Sequence, residues 1–225
     1  MLFNSLVFLV FAPTVLLIYF AAKGRIRLLF LLAASYFFYG WWDWRFLSLI
    51  LASTIIDYFI GRWLESARSG HRKLLLVASC VTNLGLLAVF KYFNFFVTPL
   101  IEALTTLGVQ TNLGTLNIIL PVGISFYTFQ TMSYTIDRYR QAIPVERDFI
   151  RFATFVAFFP QLVAGPIVRA GLLLPQLRED QPFRWENLAK GLGLVLWGYF
   201  LKLCIADSLA GVVDARFRAP LFHNA

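Results

Sequence analysis

Two short segments of this chain place polar side chains inside apolar sequence. The first, residues 120–140, reads LPVGISFYTFQTMSYTIDRYR and is apolar enough to enter a bilayer. Read as a helix, it carries one polar stripe of Thr128, Thr131, Thr135 and Arg138 and a second of Gln130, Ser133 and Asp137. Both stripes need protein or water beside them at membrane depth, which is typical of segments that line an internal path. Pro121 and Gly123 predict that this helix begins within the membrane.

The second segment, residues 158–169, reads FFPQLVAGPIVR and interrupts an apolar run. That run, Phe149 to Ala164, is about 24 Å long as a helix, too short to cross a bilayer comfortably. The two prolines, the glycine, the glutamine and the arginine at its end predict a broken, re-entrant segment buried in protein.

Two interrupted polar segments of this kind predict a passage or pocket inside the membrane. The alternative is a helix packed in the protein core with its hydroxyls bonded to backbone, and for the threonine stripe both interpretations stay open. A functional role is favoured over a packing role for four residues, because long or charged side chains are costly at membrane depth without a partner. These residues are Gln130, Asp137, Gln161 and Arg169.

Signatures of soluble enzymes are missing from the sequence. The Gly-x-Gly of residues 191–198 has Leu196 where a dinucleotide fingerprint needs its third glycine, and no nucleophile elbow or phosphate loop occurs. Cys80 and Cys204 lie far apart in apolar sequence, so we predict packing roles for both and no metal site. His71 and His223 do not lie where a buried base is expected.

The elements that position these segments are predicted from composition. With 59% hydrophobic and 14% charged residues, against about 25% charged in soluble proteins, the 225-residue chain reads as an all-α polytopic membrane protein with broken helices. We predict one transmembrane domain over residues 1–225, an interfacial stretch at 170–190, and an external loop at 97–115 in which a short helix stays open. The predicted apolar helices are Leu2–Ala22, Ile26–Trp42, Phe46–Ile60, which is short for a crossing, Leu74–Phe96 and Leu188–Ala206.

The basic residues that give the chain its net charge of +8 are concentrated in loops between the apolar runs. Residues 23–27 and 61–73 are strongly basic and the intervening loops are not, which predicts a bilayer protein with its N-terminus outside and argues against nucleic acid. Positive charge follows the first run, so we predict a retained helix there and no cleaved signal peptide. The aromatic residues of 36–44 predict an outer interfacial belt, and for Asp57 we favour pairing with the basic loop over a functional role.

LPVGISFYTFQTMSYTIDRYR followed by FFPQLVAGPIVR resembles the membrane-bound O-acyltransferase family, in the branch of alginate O-acetyltransferases and lipoteichoic acid D-alanyl transferases. NLGLLAVFKYFNFF at residues 83–96 and SYFFYGWWDWRFLSLILAST at residues 35–54 extend this likeness over nearly the whole chain. The resemblance implies a multi-helix enzyme of the bacterial cytoplasmic membrane that passes an acyl group, expected to be acetyl, from a thioester donor to hydroxyls of an exported polysaccharide. It implies no bound cofactor, and periplasmic acetylation proteins as partners.

By match to these motifs, the residues predicted to line the substrate path are Ser125, Gln130, Tyr134, Asp137, Gln161, Gly165, Pro166 and Arg169. In the family, a neutral histidine beyond the two motifs removes the acceptor proton, and we expect no counterpart of it among these residues. We therefore interpret the chain as the N-terminal part of such an enzyme and expect little or no turnover from it alone. No catalytic role is carried onto His223.

Two other functions remain open at this point. Paired broken helices also mark the substrate sites of transporters and flippases, although no internal repeat is seen here. A non-catalytic membrane subunit is the third interpretation. Transport of a solute without an acyl donor would favour the transporter.

Overall fold

The structure, a computed structural model, describes residues 1, 3–107, 121–162 and 165–218. These residues are helical wherever they are regular, with no strand among them, which confirms the all-α prediction. In chain order the helices are α1 Leu6–Ala21, α2 Gly24–Asp43, α3 Leu47–Ser66, α4 Ser69–Thr106, α5 Ile124–Tyr139, α6 Phe149–Ala157, α7 Phe159–Leu162, α8 Ala170–Arg178, α9 Trp185–Phe200 and α10 Asp207–Arg218. A short 3-10 helix, Trp44–Phe46, follows α2, and a π-helix, Leu201–Ala206, joins α9 to α10.

Among the described residues, three helical runs are long and apolar enough to cross a membrane: Gly24–Ser66, Gly70–Phe93 and Trp185–Phe217. The first comprises α2, the 3-10 helix and α3, and Asp43, the last residue of α2, has an extended conformation (φ −159°, ψ 111°). Each of these two helices has 20 residues, about 30 Å of rise, which matches a hydrocarbon core. The prediction of a polytopic helical membrane protein is confirmed.

Two helices extend beyond their predicted ends. The prediction that the third run ends at Ile60 is wrong, because α3 continues to Ser66 with Arg62 and Glu65 exposed on its last turns. Charged side chains near a helix end reach into solvent, so they do not stop the helix. Within the predicted loop at 97–115, residues 97–106 are helical, but they continue α4 instead of forming a separate short helix. Pro99 fits the helical φ and removes only one backbone donor there. Residues 108–115 lie outside the described part of the chain.

The last predicted helix is also longer than expected. It begins at Trp185, not Leu188, and the helical run continues past Ala206 through α10. The predicted interfacial stretch at 170–190 contains α8 and the first turns of α9.

α5 begins at Ile124, directly after Gly123, whose φ of 78° is a left-handed conformation suited to glycine. Pro121 and Gly123 therefore do precede the helix start.

The chain divides into two units. One contains Met1 and Phe11–Asp180, and the other contains the described residues of Leu2–Val10 and Gln181–Ala225. In the second unit, the Tyr199 hydroxyl donates to the Phe3 carbonyl and Lys202 pairs with Asp207. Both polar segments belong to the first unit. The single domain over residues 1–225 stays a prediction.

Helix α5 packs against α3, α4, α6 and α8 in the first unit. Its Tyr134 is fully buried, with its ring centroid 4.7 Å from that of Phe152. A Cβ added at Gly61 of α3 would lie 2.6 Å from the Tyr134 ring. Gly61 is therefore needed for the close approach of α3 and α5.

The described residues of 149–178 form a re-entrant hairpin, built from α6, α7 and α8. Its two ends meet at Glu146, whose carboxylate binds Arg151 near the start of α6 (2.9 Å) and Arg178 at the end of α8 (3.0 Å). α6 has 9 residues, about 14 Å of rise, before the chain breaks at Phe158 (ψ 105°). The hairpin thus returns to the side from which it starts, as the sequence predicts.

Candidate functional site

The two polar segments meet at one backbone oxygen. Since α6 ends at Ala157, the carbonyls of its last turn lack helical partners. The Phe155 carbonyl accepts hydrogen bonds from Gln130 Nε2 at 2.6 Å and from Gln161 Nε2 at 3.2 Å. The two glutamine residues are only 1% and 5% exposed, respectively. The break in the hairpin therefore leaves the buried Phe155 carbonyl without a helical partner. One glutamine from each polar segment donates a hydrogen bond to it.

Helix α2 holds the inner end of the hairpin, which we call the hairpin tip (residues 155–162). The Phe159 backbone N–H donates to Ser35 Oγ at 3.3 Å, and the Phe159 ring centroid lies 5.5 Å from that of Phe38. After the tip, the Gly165 N–H donates to the Gln161 carbonyl at 3.0 Å. A Cβ at Gly165 would lie 2.4 Å from Gln161 Cα, so only glycine fits. Gln161 is therefore fixed by its own backbone as well as by its amide.

Six buried side-chain polar atoms have no hydrogen-bond partner among the described residues. Gln161 Oε1 lies in the hairpin tip, and the others include the hydroxyls of Tyr39 and Tyr127, both 2% exposed. Tyr39 follows Ser35 by one turn of α2, and Tyr127 precedes Gln130 by one turn of α5. Most buried polar groups in proteins are paired, so the unpaired Gln161 Oε1 marks the hairpin tip as a candidate site.

The structure separates the predicted path residues into three groups. Gln130 and Gln161 meet at the tip, and Gly165 bonds to the Gln161 carbonyl, as described above. Tyr134 lies in the core and its hydroxyl accepts from the Glu146 N–H at 3.2 Å. The remaining four are less buried, with Ser125, Asp137 half-buried and Pro166, Arg169 exposed. A role of these residues in lining a path stays a prediction.

A second polar cluster was not predicted from the sequence. Asp57 on α3 is fully buried, and its carboxylate accepts from Ser79 Oγ (2.5 Å), Asn83 Nδ2 (2.7 Å) and Thr135 Oγ1 (3.3 Å). Asn83 Oδ1 in turn accepts from Ser53 Oγ at 2.9 Å and Thr131 Oγ1 at 3.3 Å. We call these residues of α3, α4 and α5 the Asp57 cluster.

The predicted pairing of Asp57 with the basic loop is wrong. Because α3 continues to Ser66, Asp57 lies in its interior and faces α4 and α5, whereas Arg62 is exposed. The sequence does contain a signal for the cluster: three pairs of polar residues spaced by four, which lie on one face of a helix. These pairs are Ser53 with Asp57, Ser79 with Asn83, and Thr131 with Thr135.

For the threonine stripe, the packed-core interpretation is supported. Thr131 Oγ1 donates to the Thr128 carbonyl at 3.0 Å, and Thr135 Oγ1 lies 3.3 Å from the Thr131 carbonyl. These are the backbone bonds that hydroxyls make readily inside helices.

Cys80 is half-buried and Cys204 exposed, both as free thiols. His71 is exposed on α4, and His223 lies outside the described residues.

Fold and site together define a polytopic helical membrane protein whose re-entrant hairpin carries a buried polar site. Comparison with known proteins narrows this class. The chain is 41% identical over 220 residues to the probable alginate O-acetylase AlgI of Azotobacter vinelandii, and 41% identical over 220 residues to that of Pseudomonas aeruginosa. It is 32% identical over 250 residues to the peptidoglycan O-acetyltransferase of Helicobacter pylori.

Each match covers 96% of this chain but only 44%, 42% and 46% of the respective relatives, so the chain spans less than half of their length. No family model and no solved structure matches it. These similarities nevertheless confirm the predicted resemblance to the alginate O-acetyltransferase-like branch of the membrane-bound O-acyltransferase family.

Proposed function

We propose that this chain forms part of a bacterial O-acetyltransferase that transfers an acetyl group from a thioester donor to hydroxyls of an exported polysaccharide. The observation that carries this proposal is the junction at the Phe155 carbonyl. It joins the two segments by which the sequence resembles the family, and both glutamines there are buried. The printed names of the relatives, alginate O-acetylase and peptidoglycan O-acetyltransferase, support acetyl transfer to a polysaccharide.

The distribution of basic residues supports an orientation in the bacterial inner membrane. The ends of the hairpin, at Arg151 and Arg178, lie on the same side as the start of α2, where Arg27 binds Asp180 at 2.8 Å. The basic stretches 23–27 and 61–73 lie at the start of α2 and at the junction of α3 with α4, respectively. By the positive-inside rule this side faces the cytoplasm and the N-terminus faces out. The hairpin then opens toward the side from which a cytoplasmic donor arrives.

In this proposal the donor is a co-substrate and no cofactor is bound. The partners are the lipid bilayer, the acyl donor and the polysaccharide acceptor, and periplasmic acetylation proteins complete the pathway. The side chains seen to hydrogen-bond to the tip within the described residues are two glutamine amides and a serine hydroxyl, and these three groups carry no formal charge. Such a site suits an uncharged acyl group in passage.

A chimera tests the proposal without assumptions about how much of the protein this chain represents. The segment of the A. vinelandii relative that the chain matches is replaced by this chain, and ester-linked acetyl on exported alginate is measured in a strain lacking the native protein. We expect acetylation to return. The variants Gln130→Ala and Gln161→Ala should lower it, whereas Val77→Ala, on an exposed face of α4, should not.

The membrane content of each chimera is measured in parallel. A chimera that inserts in normal amounts but leaves alginate unacetylated would contradict the proposed function. Equal acetylation by the glutamine variants would contradict the importance of the junction.

A further inference from the structure

We propose that the end of α3 and the segment before α6 together bind the phosphate group of an anionic phospholipid. Three features support this site: direct contacts that bring two arginines together, the exposure of both arginines, and an exposed apolar face of α3 beside them. The site does not depend on the proposed function, because lipid binding is measured without acetyl transfer. Its residues are Arg62, Arg147 and the apolar Ile55, Phe59 and Trp63, and we call it the Arg62 site.

One tyrosine brings the two arginines of the Arg62 site together. The Tyr58 hydroxyl on α3 donates to the Arg147 carbonyl at 2.6 Å and accepts from Arg62 Nη1 at 3.5 Å. The Arg147 side chain also reaches α3, because its Nη2 donates to Glu65 Oε1 at 3.0 Å. Arg62 and Glu65 are three residues apart, so they are neighbours on the surface of α3. Both guanidinium groups therefore lie at the same end of this helix.

Both guanidinium groups are accessible to a ligand. The Arg147 side chain is 72% exposed, and Arg62 is exposed as well. Arginine presents five N–H donors in a fork that matches a phosphate group. Within the part of the chain that the structure describes, the protein uses one side-chain nitrogen of each arginine. Glu65 supplies one negative charge against the two positive ones, and Asp148, the next acidic residue, pairs with Arg151 instead.

The apolar face of α3 beside the arginines suits acyl chains. Ile55, Phe59 and Trp63 follow one another at intervals of four residues, so they share one face of the helix. They are 43%, 45% and 56% exposed, respectively, and the Phe59 and Trp63 ring centroids lie 6.0 Å apart. Arg62 follows Phe59 by three residues and therefore borders this face. A molecule with both acyl chains and a phosphate matches the whole arrangement, whereas a free phosphate matches only the arginines.

Occupation of the Arg62 site connects α3 to the start of the re-entrant hairpin. Arg147 directly precedes Asp148, whose side chain caps α6, and directly follows Glu146, which binds both ends of the hairpin. A phosphate in contact with Arg62 and Arg147 ties these elements together. We therefore expect the bound lipid to slow amide hydrogen exchange in residues 145–151.

Native mass spectrometry of the 225-residue chain in detergent measures the binding. The chain is offered either dioleoyl phosphatidylglycerol, which is anionic, or dioleoyl phosphatidylcholine, which has the same acyl chains and no net charge. We expect tighter retention of phosphatidylglycerol. The double variant Arg62→Gln/Arg147→Gln should lose this preference, by about fivefold in affinity for each arginine removed. Arg62→Lys/Arg147→Lys keeps both charges and should retain most of it.

Arg68→Gln/Lys73→Gln is the matched control. It removes two positive charges from exposed residues at the junction of α3 with α4, and the Arg68 side chain makes no cap hydrogen bond there. This variant leaves the Tyr58 contacts in place and should keep the preference for phosphatidylglycerol. Arg62→Gln/Arg147→Gln should still fold, because both side chains are exposed and Tyr58 binds the backbone carbonyl of Arg147.

Hydrogen–deuterium exchange distinguishes a lipid from a free phosphate compound. Phosphatidylglycerol should slow exchange in residues 145–151 of the unsubstituted chain but not of Arg62→Gln/Arg147→Gln. Glycerol 3-phosphate at the same concentration should have no such effect. Equal protection by glycerol 3-phosphate would show that the site takes a free phosphate compound and would overturn the assignment to a lipid.

Three results of the binding measurement would also overturn the assignment. They are equal retention of the two lipids by the unsubstituted chain, a preference that survives in Arg62→Gln/Arg147→Gln, and an equally large loss of preference in Arg68→Gln/Lys73→Gln. The last result would mean that the overall charge of this face, and not the Arg62 site, selects the lipid.

Discussion

Asp57 shows at the level of single residues how a carboxyl group is kept inside a helical bundle. Its partners Ser79, Asn83 and Thr135 are uncharged donors on the neighbouring helices α4 and α5. A buried polar group is tolerated when it is fully hydrogen-bonded, and removing it leaves its partners unsatisfied. The Asp57 cluster therefore holds α3, α4 and α5 in one relative register.

Replacing Asp57 by leucine should destabilise the first unit strongly. Three buried donors would lose their acceptor, so we expect the free energy of unfolding to fall by about 3 kcal/mol or more. Asp57→Asn keeps one acceptor oxygen and should cost less than the leucine variant. Circular dichroism during thermal unfolding in detergent measures both. Asp137→Asn on half-buried Asp137 is the control, and a loss there as large as that of Asp57→Leu would contradict this explanation.

The residues of the site were only partly predictable from sequence. Gln130 and Gln161 stand out because long amides are unusual in apolar helices, and both do meet at the tip. The Phe155 carbonyl that joins them leaves no signal in the sequence, because every residue has a carbonyl and only the break at Phe158 makes this one available. Tyr39 belonged to the predicted interfacial belt, but its side chain is buried. Asp57 was assigned to the wrong partner because the end of α3 was predicted too early.

At the scale of elements, the re-entrant hairpin depends on an ionic contact between its two ends. Glu146 is 2% exposed and binds Arg151 and Arg178, whose side chains are 22% and 43% exposed. Charge-assisted hydrogen bonds to a buried carboxylate are stronger than those of exposed pairs. The Glu146 contacts therefore close the hairpin where it lacks a spanning helix to hold it.

Glu146→Gln should loosen α8 against α6. The amide keeps one acceptor oxygen but not the charge, and losing one charge-assisted bond corresponds to at least about tenfold faster amide exchange. Hydrogen–deuterium exchange on peptides of α8 measures this effect. The control is Glu65→Gln, since Glu65 pairs with Arg147 at 3.0 Å with both side chains largely exposed. Unchanged exchange in α8 of Glu146→Gln would show that packing alone closes the hairpin.

The existence of the helices followed from the apolar runs, but several of their ends did not. Hydropathy averages over a turn or more, so it stops a helix at the first charged residues even when these point outward, as Arg62 does in α3. Proline is read as a stop, although Pro99 lies within α4. The hairpin was predictable because a run too short to span ended in two prolines and a glycine. The contact of Glu146 with both hairpin ends was not predictable, because no sequence spacing pairs Glu146 with Arg178, 32 residues further on.

At the scale of the whole molecule, the orientation in the membrane decides from which side each substrate reaches the site. Under the proposed orientation the hairpin ends and the basic loops face the cytoplasm. α3 crosses between the two faces, with Ser48 at one end and Ser66 at the other, and both are exposed. At 1.5 Å per residue these serines are separated by about 27 Å along the helix, close to the thickness of a hydrocarbon core.

The two serines allow a direct test of that orientation. In a background carrying Cys80→Ala and Cys204→Ala, which removes both free thiols of the chain, Ser48→Cys and Ser66→Cys each supply one reactive thiol. A membrane-impermeant maleimide added to intact spheroplasts should label Ser48→Cys and leave Ser66→Cys unlabelled. Ser66→Cys should react only after lysis, and both should react equally in detergent, which controls for thiol reactivity. Labelling in the reverse order would place the basic loops outside, and the hairpin would then open toward the acceptor rather than the donor.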